Sequence, residues 1–389
     1  NNQQFLFVLG IIVFALLVFS LIFKAITSYV QVLFAQMLEY SICKRLMEGY
    51  LHQSYSWFLN RNSADLGKTI LSEVSHVVGS GIKPLMELIA KSMIAIAIII
   101  LLIIIDPKLA LITGFLLGGA YVLLFYIIRT FVSKIGRENL KSNELRFLAL
   151  NEAFGAAKEV KIGGLEEIYI NRYASPAKNF ARNHALAEVV NMLPRYVFEA
   201  IAFGGILLII LFLMLQKGIF NNVLPIVTLY VFAGYRLMPA LHQIYSSFTK
   251  ITFVGPSLNR LHEDIQSLKS FSVNQDQGIL KLDKTITLKN IYYKYPNASR
   301  TALKNINLSI PAKHTIGLVG STGSGKTTTV DIILGLLEAQ KGNLEVDGQI
   351  ISKNNCRSWQ KSIGYVPQHI YLADNTVSAN IAFGVNPKN

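Results

Sequence analysis

Residues Gly320–Thr328 read Gly-Ser-Thr-Gly-Ser-Gly-Lys-Thr-Thr. They satisfy the pattern G-x-x-x-x-G-K-[ST], with Gly320, Gly325, Lys326 and Thr327 at its fixed positions. Glycines at this spacing let the backbone bend so that successive N–H groups point inward, where they can hold phosphate oxygens. A helix starting at the loop adds its positive N-terminal end. Lys326 offers a mobile full charge to the β- and γ-phosphates, and the Thr327 hydroxyl is placed to ligate Mg²⁺. Ser321, Thr322, Gly323, Ser324 and Thr328 complete the cradle. The flanks suit it: an apolar, strand-like run over His314–Val319 leads in. A helical pattern over Thr328–Leu337 leads out, with Val330, Ile333, Leu334 and Leu337 on one face.

The elements that must position this loop belong to an unusual chain. Of 389 residues, 52% are hydrophobic and only 15% charged, against about 25% charged in soluble domains. That deficit points to a membrane protein. The formal charge is +14, which suits either nucleic acid or an anionic membrane surface, so its location decides. Cys43 and Cys356 are far apart in cationic, cytosol-like sequence, which favours free thiols over a disulfide. The chain starts at Asn1 and runs straight into apolar sequence, so it reads as truncated rather than as opening on a signal peptide.

Phe5–Phe23 carries no charge over nineteen residues, enough to cross a bilayer. Further apolar segments cover about 88–105, 109–128, 196–216 and 223–241, giving five expected spans. Short loops at 106–108 and 217–222 hold one lysine each, whereas 129–195 holds eleven Lys plus Arg. The positive-inside rule puts the long stretches in the cytoplasm and the short ones outside. The positive charge is then largely topological, which argues against nucleic acid as a partner. Tyr40–Asn60 and Ser142–Arg182 keep helical spacing, so the spans should continue as long helices beyond the membrane. Each stretch breaks once, at Asn60–Asp65 and at Gly155 with Gly163-Gly164; such a turn is a natural contact surface for a cytosolic domain.

Helical texture lasts to about Leu268, and residues 269–284 read as a linker. From Thr285 short strands appear: Ile286–Tyr295, Ala302–Ile310, Asn343–Val346 before the Asp347-Gly348 turn, and Ser362–Val366. The expected fold is a multi-domain membrane protein. An α-helical transmembrane domain (1–268), its long helices reaching the cytoplasm, precedes a truncated α/β phosphate-loop nucleotide-binding domain (285–389).

Five spans with long cytoplasmic helices, followed by a phosphate loop, resemble an ATP-binding cassette (ABC) exporter half-transporter, over essentially the whole chain. The family has six spans per half, so the first span is expected to be missing. The resemblance assigns Tyr295, in Tyr293-Lys294-Tyr295-Pro296, to stacking on adenine. It assigns Gln368, in Tyr365-Val366-Pro367-Gln368, to the loop that senses Mg²⁺ and the γ-phosphate. Asp374–Gly384 resembles the exporter segment after that loop. Glu159–Gly164 and Phe58–Lys68 resemble the two intracellular turns that dock on ATPase domains. No signature motif, Walker B strand or switch histidine follows Gln368, so the chain supplies no catalytic base of its own. ATP and Mg²⁺ are the implied cofactors, and a second half-transporter, most simply an identical copy, is the implied partner.

A narrower resemblance, over Tyr55–Val74, Ala157–Gly164 and Tyr235–Tyr245, is to lipid-linked oligosaccharide flippases of bacterial protein N-glycosylation. It implies a pyrophosphate-bearing glycolipid cargo in the cytoplasmic membrane. Lys24, Arg195 and Arg236 are the cations at or within span ends that could assist such an anion. Lys24 and Arg195 could equally mark the membrane boundary, and Glu199 could be the ion-pair partner of Arg236. Export of peptides, drugs or other lipids, a soluble repair or translation ATPase, and a degenerate regulatory module are the competing readings.

Overall fold

The computed structural model describes all residues except 1, 106, 216–219, 269–277, 297, 369 and 386–389. Most of the expected linker and parts of both expected outward loops lie outside the described residues.

Four helices dominate: α1 (Asn2–Leu51), α6 (Pro107–Gly155), α8 (Glu166–Leu215) and α9 (Phe220–Ser267). At 48 to 50 residues each, they are roughly 75 Å long at 1.5 Å per residue. That is more than twice the ~30 Å hydrocarbon core of a bilayer. Between α1 and α6 lie α2 (Tyr55–Phe58), α3 (Ser63–Lys68), α4 (Val74–Val77) and α5 (Lys83–Ile105), with π-helical turns at Thr69–Glu73 and Val78–Ile82. Apolar windows fit for spanning a membrane are found in Gln3–Leu51 and Asp65–Ile105 among the described residues. In the first, side chains such as Phe5, Phe14 and Phe23 are exposed, as a lipid-facing surface requires.

α6 ends at Gly155. After α7 (Ala157–Gly163) the chain turns through Gly164 in the left-handed region and returns as α8, which packs along α6. α9 packs on α5, α6 and α8. Val132, Ile135, Val190 and Phe253 form a buried cluster between α6, α8 and α9. Gly136 lets α6 and α9 close up: a Cβ there would lie 2.3 Å from the carbonyl oxygen of Phe253. Polar contacts close the ends of the helices. Asp264 of α9 accepts from the Tyr50 hydroxyl of α1 and from Arg61, both at 2.6 Å. Arg260 donates to both carboxylate oxygens of Glu144, at 2.7 and 3.4 Å.

The chain divides into two units. The first contains the long helices. The second contains the sheet-bearing remainder together with Ser54–Asn60, the segment that carries α2. In this second unit β1 (Thr285–Tyr293) and β2 (Leu303–Pro311) lead to α10 (Lys326–Ile333), β3 (Lys341–Val346), β4 (Gln349–Ile350), α11 (Cys356–Gln360) and α12 (Val377–Ile381). The strands form one antiparallel sheet in the order β2-β1-β3-β4. Alternate residues of β1, among them Ile286 and Leu288, point into a core shared with Leu303, Ile332, Leu344 and Trp359. The Trp359 indole donates to the Ile333 carbonyl at 2.7 Å.

Two expected strands are absent. Residues 314–319 and 362–366 have no regular structure and no place in the sheet. An apolar run becomes a strand only beside a backbone that pairs with it. These runs have no such neighbour among the described residues, and Ile316, Leu318 and Val319 stay 40%, 38% and 96% exposed. The helix expected over Thr328–Leu337 is displaced: it begins at Lys326 and gives way to a turn at Gly335, whose φ is +66°.

Candidate nucleotide site

The loop Gly320–Gly325 runs into α10 with Gly325 as its N-cap, at φ +91°. A Cβ on Gly325 would meet the Leu303 Cδ2 at 2.6 Å and the Ala302 carbonyl at 3.0 Å. Strand β2 thus braces the loop from behind, and only glycine fits both the dihedral and the space. Gly323 is also left-handed, at φ +80°, but with open space around it. Lys326 folds its ammonium back over the loop and donates to the carbonyls of Gly320 and Ser321, each at 2.9 Å. Thr327 is exposed on the first turn of α10, whereas Thr328 and Thr329 are buried. Thr329 anchors the turn by donating to the Gly325 carbonyl at 3.0 Å.

Tyr295 reaches the first turn of α10 as well. Its hydroxyl lies 3.0 Å from that of Thr328, and its ring makes an edge contact with Tyr293 at 5.1 Å. The expected base-binding aromatic is therefore tied to the phosphate loop. Spacing could suggest both residues, but no pattern across 33 positions announces the bond between them. Gln368 is exposed in an irregular stretch and makes no side-chain hydrogen bond among the described residues.

Tyr55 of α2 is a neighbour that the motifs did not single out for this site. Burial raises its phenol pKa, and Asp331, Tyr365 and Tyr295 raise it further. Ser54–Asn60, which holds only the start of the expected first intracellular turn, thus belongs to the unit that holds Tyr295 and the approach to Gln368, whereas the rest of that turn, from Arg61, belongs to the helical unit. Aromatic residues at Tyr55, Trp57 and Phe58 were the available signal; Trp57 and Phe58 pack edge to face at 5.1 Å.

The three candidate cargo cations belong to the helical unit and not to this site. Lys24 is exposed on α1. Arg195 pairs with Glu199 one turn on, at 2.7 Å. Glu199 is thus held by Arg195, four residues before it, not by Arg236, the partner that the sequence suggested. Arg236 is exposed on α9.

The residues present fit a nucleoside triphosphate and its metal. Two left-handed glycines open the loop, a helix N-terminus faces it, one lysine spans it, and an exposed threonine hydroxyl stands on the first turn.

Comparison with known proteins agrees with this geometry. Residues 1–239 match the family described as "ABC transporter transmembrane region", and residues 303–386 match the one described as "ABC transporter". The first match covers more than half of the chain, so the protein belongs to the ABC transporter family. It joins a helical membrane region and a nucleotide-binding cassette region in one chain, as half-transporters do. Among curated relatives, the "ATP-dependent lipid A-core flippase" of Cupriavidus metallidurans is 25% identical over 88% of this chain and 58% of its own length. "Subtilin transport ATP-binding protein SpaT" of Bacillus subtilis is 22% identical over 94% of this chain and 60% of its own. The chain therefore spans about three fifths of the length of these relatives. A solved "bacterial Atm1-family ABC exporter with ATP bound" superposes with a TM-score of 0.73 at 18% identity, covering 90% of this chain and 61% of that one; it shares the fold.

Proposed function

We propose that the chain carries the membrane pathway and the phosphate-binding half of an ATP-driven exporter or flippase. The observation that carries this reading is the braced loop Gly320–Thr328, tied to Tyr295, on the same chain as an ABC transmembrane region. Bound ATP would supply the binding and hydrolysis energy for transport. Tyr295 would hold the base, and Lys326 would leave the Gly320 and Ser321 carbonyls for phosphate oxygens. Thr327 and Gln368 would hold Mg²⁺. The intracellular turns would pass cassette motion to the spans by rigid-body closure. Two copies would be needed to enclose each nucleotide.

For the cargo we propose a lipid-linked oligosaccharide or related glycolipid of the bacterial cytoplasmic membrane, with Lys24, Arg195 and Arg236 facing its pyrophosphate. Two features support this: flippases among the relatives, and cations at expected span ends, where charge is costly unless used. The peptide alternative rests on the subtilin transport relative. The test is reconstituted flipping with polyprenyl-linked sugars. Lys326→Ala should stop transport while membrane insertion persists, and Arg236→Ala should stop flipping of the pyrophosphate lipid but spare a neutral amphiphile. Transport that survives Lys326→Ala removes the mechanism; flipping that survives Arg236→Ala removes the cargo assignment alone.

A further inference from the structure

On the cytoplasmic side of the expected spans, α6 and α8 leave a groove of about 470 Å³ between them. Its lining recurs at helical spacing on both walls. On α6 it includes Lys134, Lys141 and Ser142, and on α8 Arg182, Asn183 and Leu186. Lys134, Lys141 and Arg182 are exposed and have no ion-pair partner among the described residues. One acid, Glu138, also lines the groove, so its formal charge stays positive.

The groove floor is polar. Asn183 is 6% exposed and Ser142 8%, and neither side chain makes a hydrogen bond to another described residue. Neither is among the side chains whose polar atoms are sealed from solvent without a partner, so their polar atoms stay open to the groove. The end nearer the spans is apolar. Phe131, which helps line the groove, lies three residues past the expected span 109–128, and Leu186 is on the facing wall. Lys134 lies about 9 Å beyond that span and Lys141 about 20 Å beyond it, at 1.5 Å per residue.

We infer that this groove binds the phosphate headgroup of an anionic amphiphile. Phe131 continues the hydrocarbon surface, Leu186 adds an apolar contact on the facing wall, the three cations bind the phosphates, and Asn183 and Ser142 complete their hydrogen bonds. Lys134 and Lys141 are about 10 Å apart along α6, which leaves room for two phosphates. Basic pockets between helices at the cytoplasmic face suit such headgroups. The site is distinct from Lys24, Arg195 and Arg236. It rests on the membrane placement of α6 and α8 but not on ATP use or on the cargo.

The experiment uses the full chain in detergent micelles, without nucleotide. Binding of cardiolipin and of phosphatidylcholine is followed by native mass spectrometry, with pyrophosphate as a soluble competitor. Cardiolipin should bind in preference, and K141A/R182A should weaken it at least tenfold. Lys178→Ala, on α8 outside the groove, should leave it unchanged. Asn183→Asp, which sets a second carboxylate at the floor, should weaken it as well and covers the case in which the double variant fails to fold. Competition by millimolar pyrophosphate would identify the phosphate itself as the recognised group. Loss of cardiolipin without such competition would show that the acyl chains are needed too. Equal binding of the two lipids, or equal loss in Lys178→Ala, overturns the inference. Neither result touches the proposal of ATP-driven transport.

Discussion

The hydroxyl of Tyr295 lies 3.0 Å from that of Thr328. The aromatic that follows β1 is thereby joined to the first turn of α10, so the proposed surface for a base and the proposed cradle for phosphates share one contact. Tyr295→Phe keeps the ring and loses the bond, and nucleotide affinity should stay within about fivefold, since a neutral hydrogen bond is worth about 1 kcal/mol net. Tyr295→Ala removes the stacking face, worth about 1–3 kcal/mol per base, and should cost tenfold or more. Titration with a fluorescent ATP analogue measures both. Unchanged affinity in the alanine variant removes Tyr295 from the site.

Gly325 has a second constraint that its neighbour Gly323 lacks. Both are left-handed, but only at Gly325 would a Cβ strike Leu303 and the Ala302 carbonyl. Gly325→Ala should therefore lower nucleotide affinity by at least tenfold. Gly323→Ala meets only the dihedral cost, about 1–2 kcal/mol, and should lower it less. The same titration ranks the two, and the reverse order would show that β2 does not brace the loop.

Asp264 joins α1, α9 and Arg61 through Tyr50, whose side chain is fully buried. Burial raises the phenol pKa well above its ordinary range, and the hydrogen bond to Asp264 raises it further. The phenol therefore stays a donor and the carboxylate an acceptor. Asp264→Ala should destabilise the helical unit by about 1–3 kcal/mol, and Tyr50→Phe by about 1 kcal/mol. Thermal unfolding in detergent, followed by circular dichroism, measures both. A neutral Asp264→Ala would show that packing alone holds these helix ends.

His76 and His184 face each other with ring centroids 6.0 Å apart, both against Phe253. Burial is the main cause lowering both pKa values. Glu73 opposes the shift at His76, Arg146 adds to it at His184, and Glu188 opposes it there. The folded protein thus binds fewer protons here than the unfolded chain. The stabilisation is present above the ordinary imidazole value of about 6.5 and is lost as pH falls below it, by about 1.4 kcal/mol per unit of lowering. The unfolding midpoint should drop between pH 7.5 and 5.5, and by less in His184→Gln. An identical drop in that variant assigns the effect elsewhere.

The phosphate loop was legible because its chemistry needs particular residues at fixed spacing. The long helices were legible because apolar runs passed into amphipathic ones without a break, and the turns because Gly155 and Gly164 interrupt helical texture. Pairings across the chain were not legible. Glu199 took its partner from one turn away, a choice made by local geometry, although Arg236 is as plausible in composition. His314–Val319 has the texture of a strand, but texture does not supply the backbone that must pair with it. Tyr55 joined the nucleotide-binding unit because α2 folds with it, a relation that separates residues by more than 200 positions and leaves no periodic trace.

Gly136 has a mechanical consequence. With the Phe253 carbonyl lodged where a side chain would be, α6 and α9 meet backbone to backbone at one point. Axial sliding would bring the side chains one turn away on the same face, Val132 or Leu140, up against that carbonyl, so translation of one helix along the other is blocked while pivoting about the contact stays open. Any working stroke that changes the distance between the far ends of these two roughly 70 Å rods must therefore turn on this fulcrum, as a pair of scissors turns on its pin.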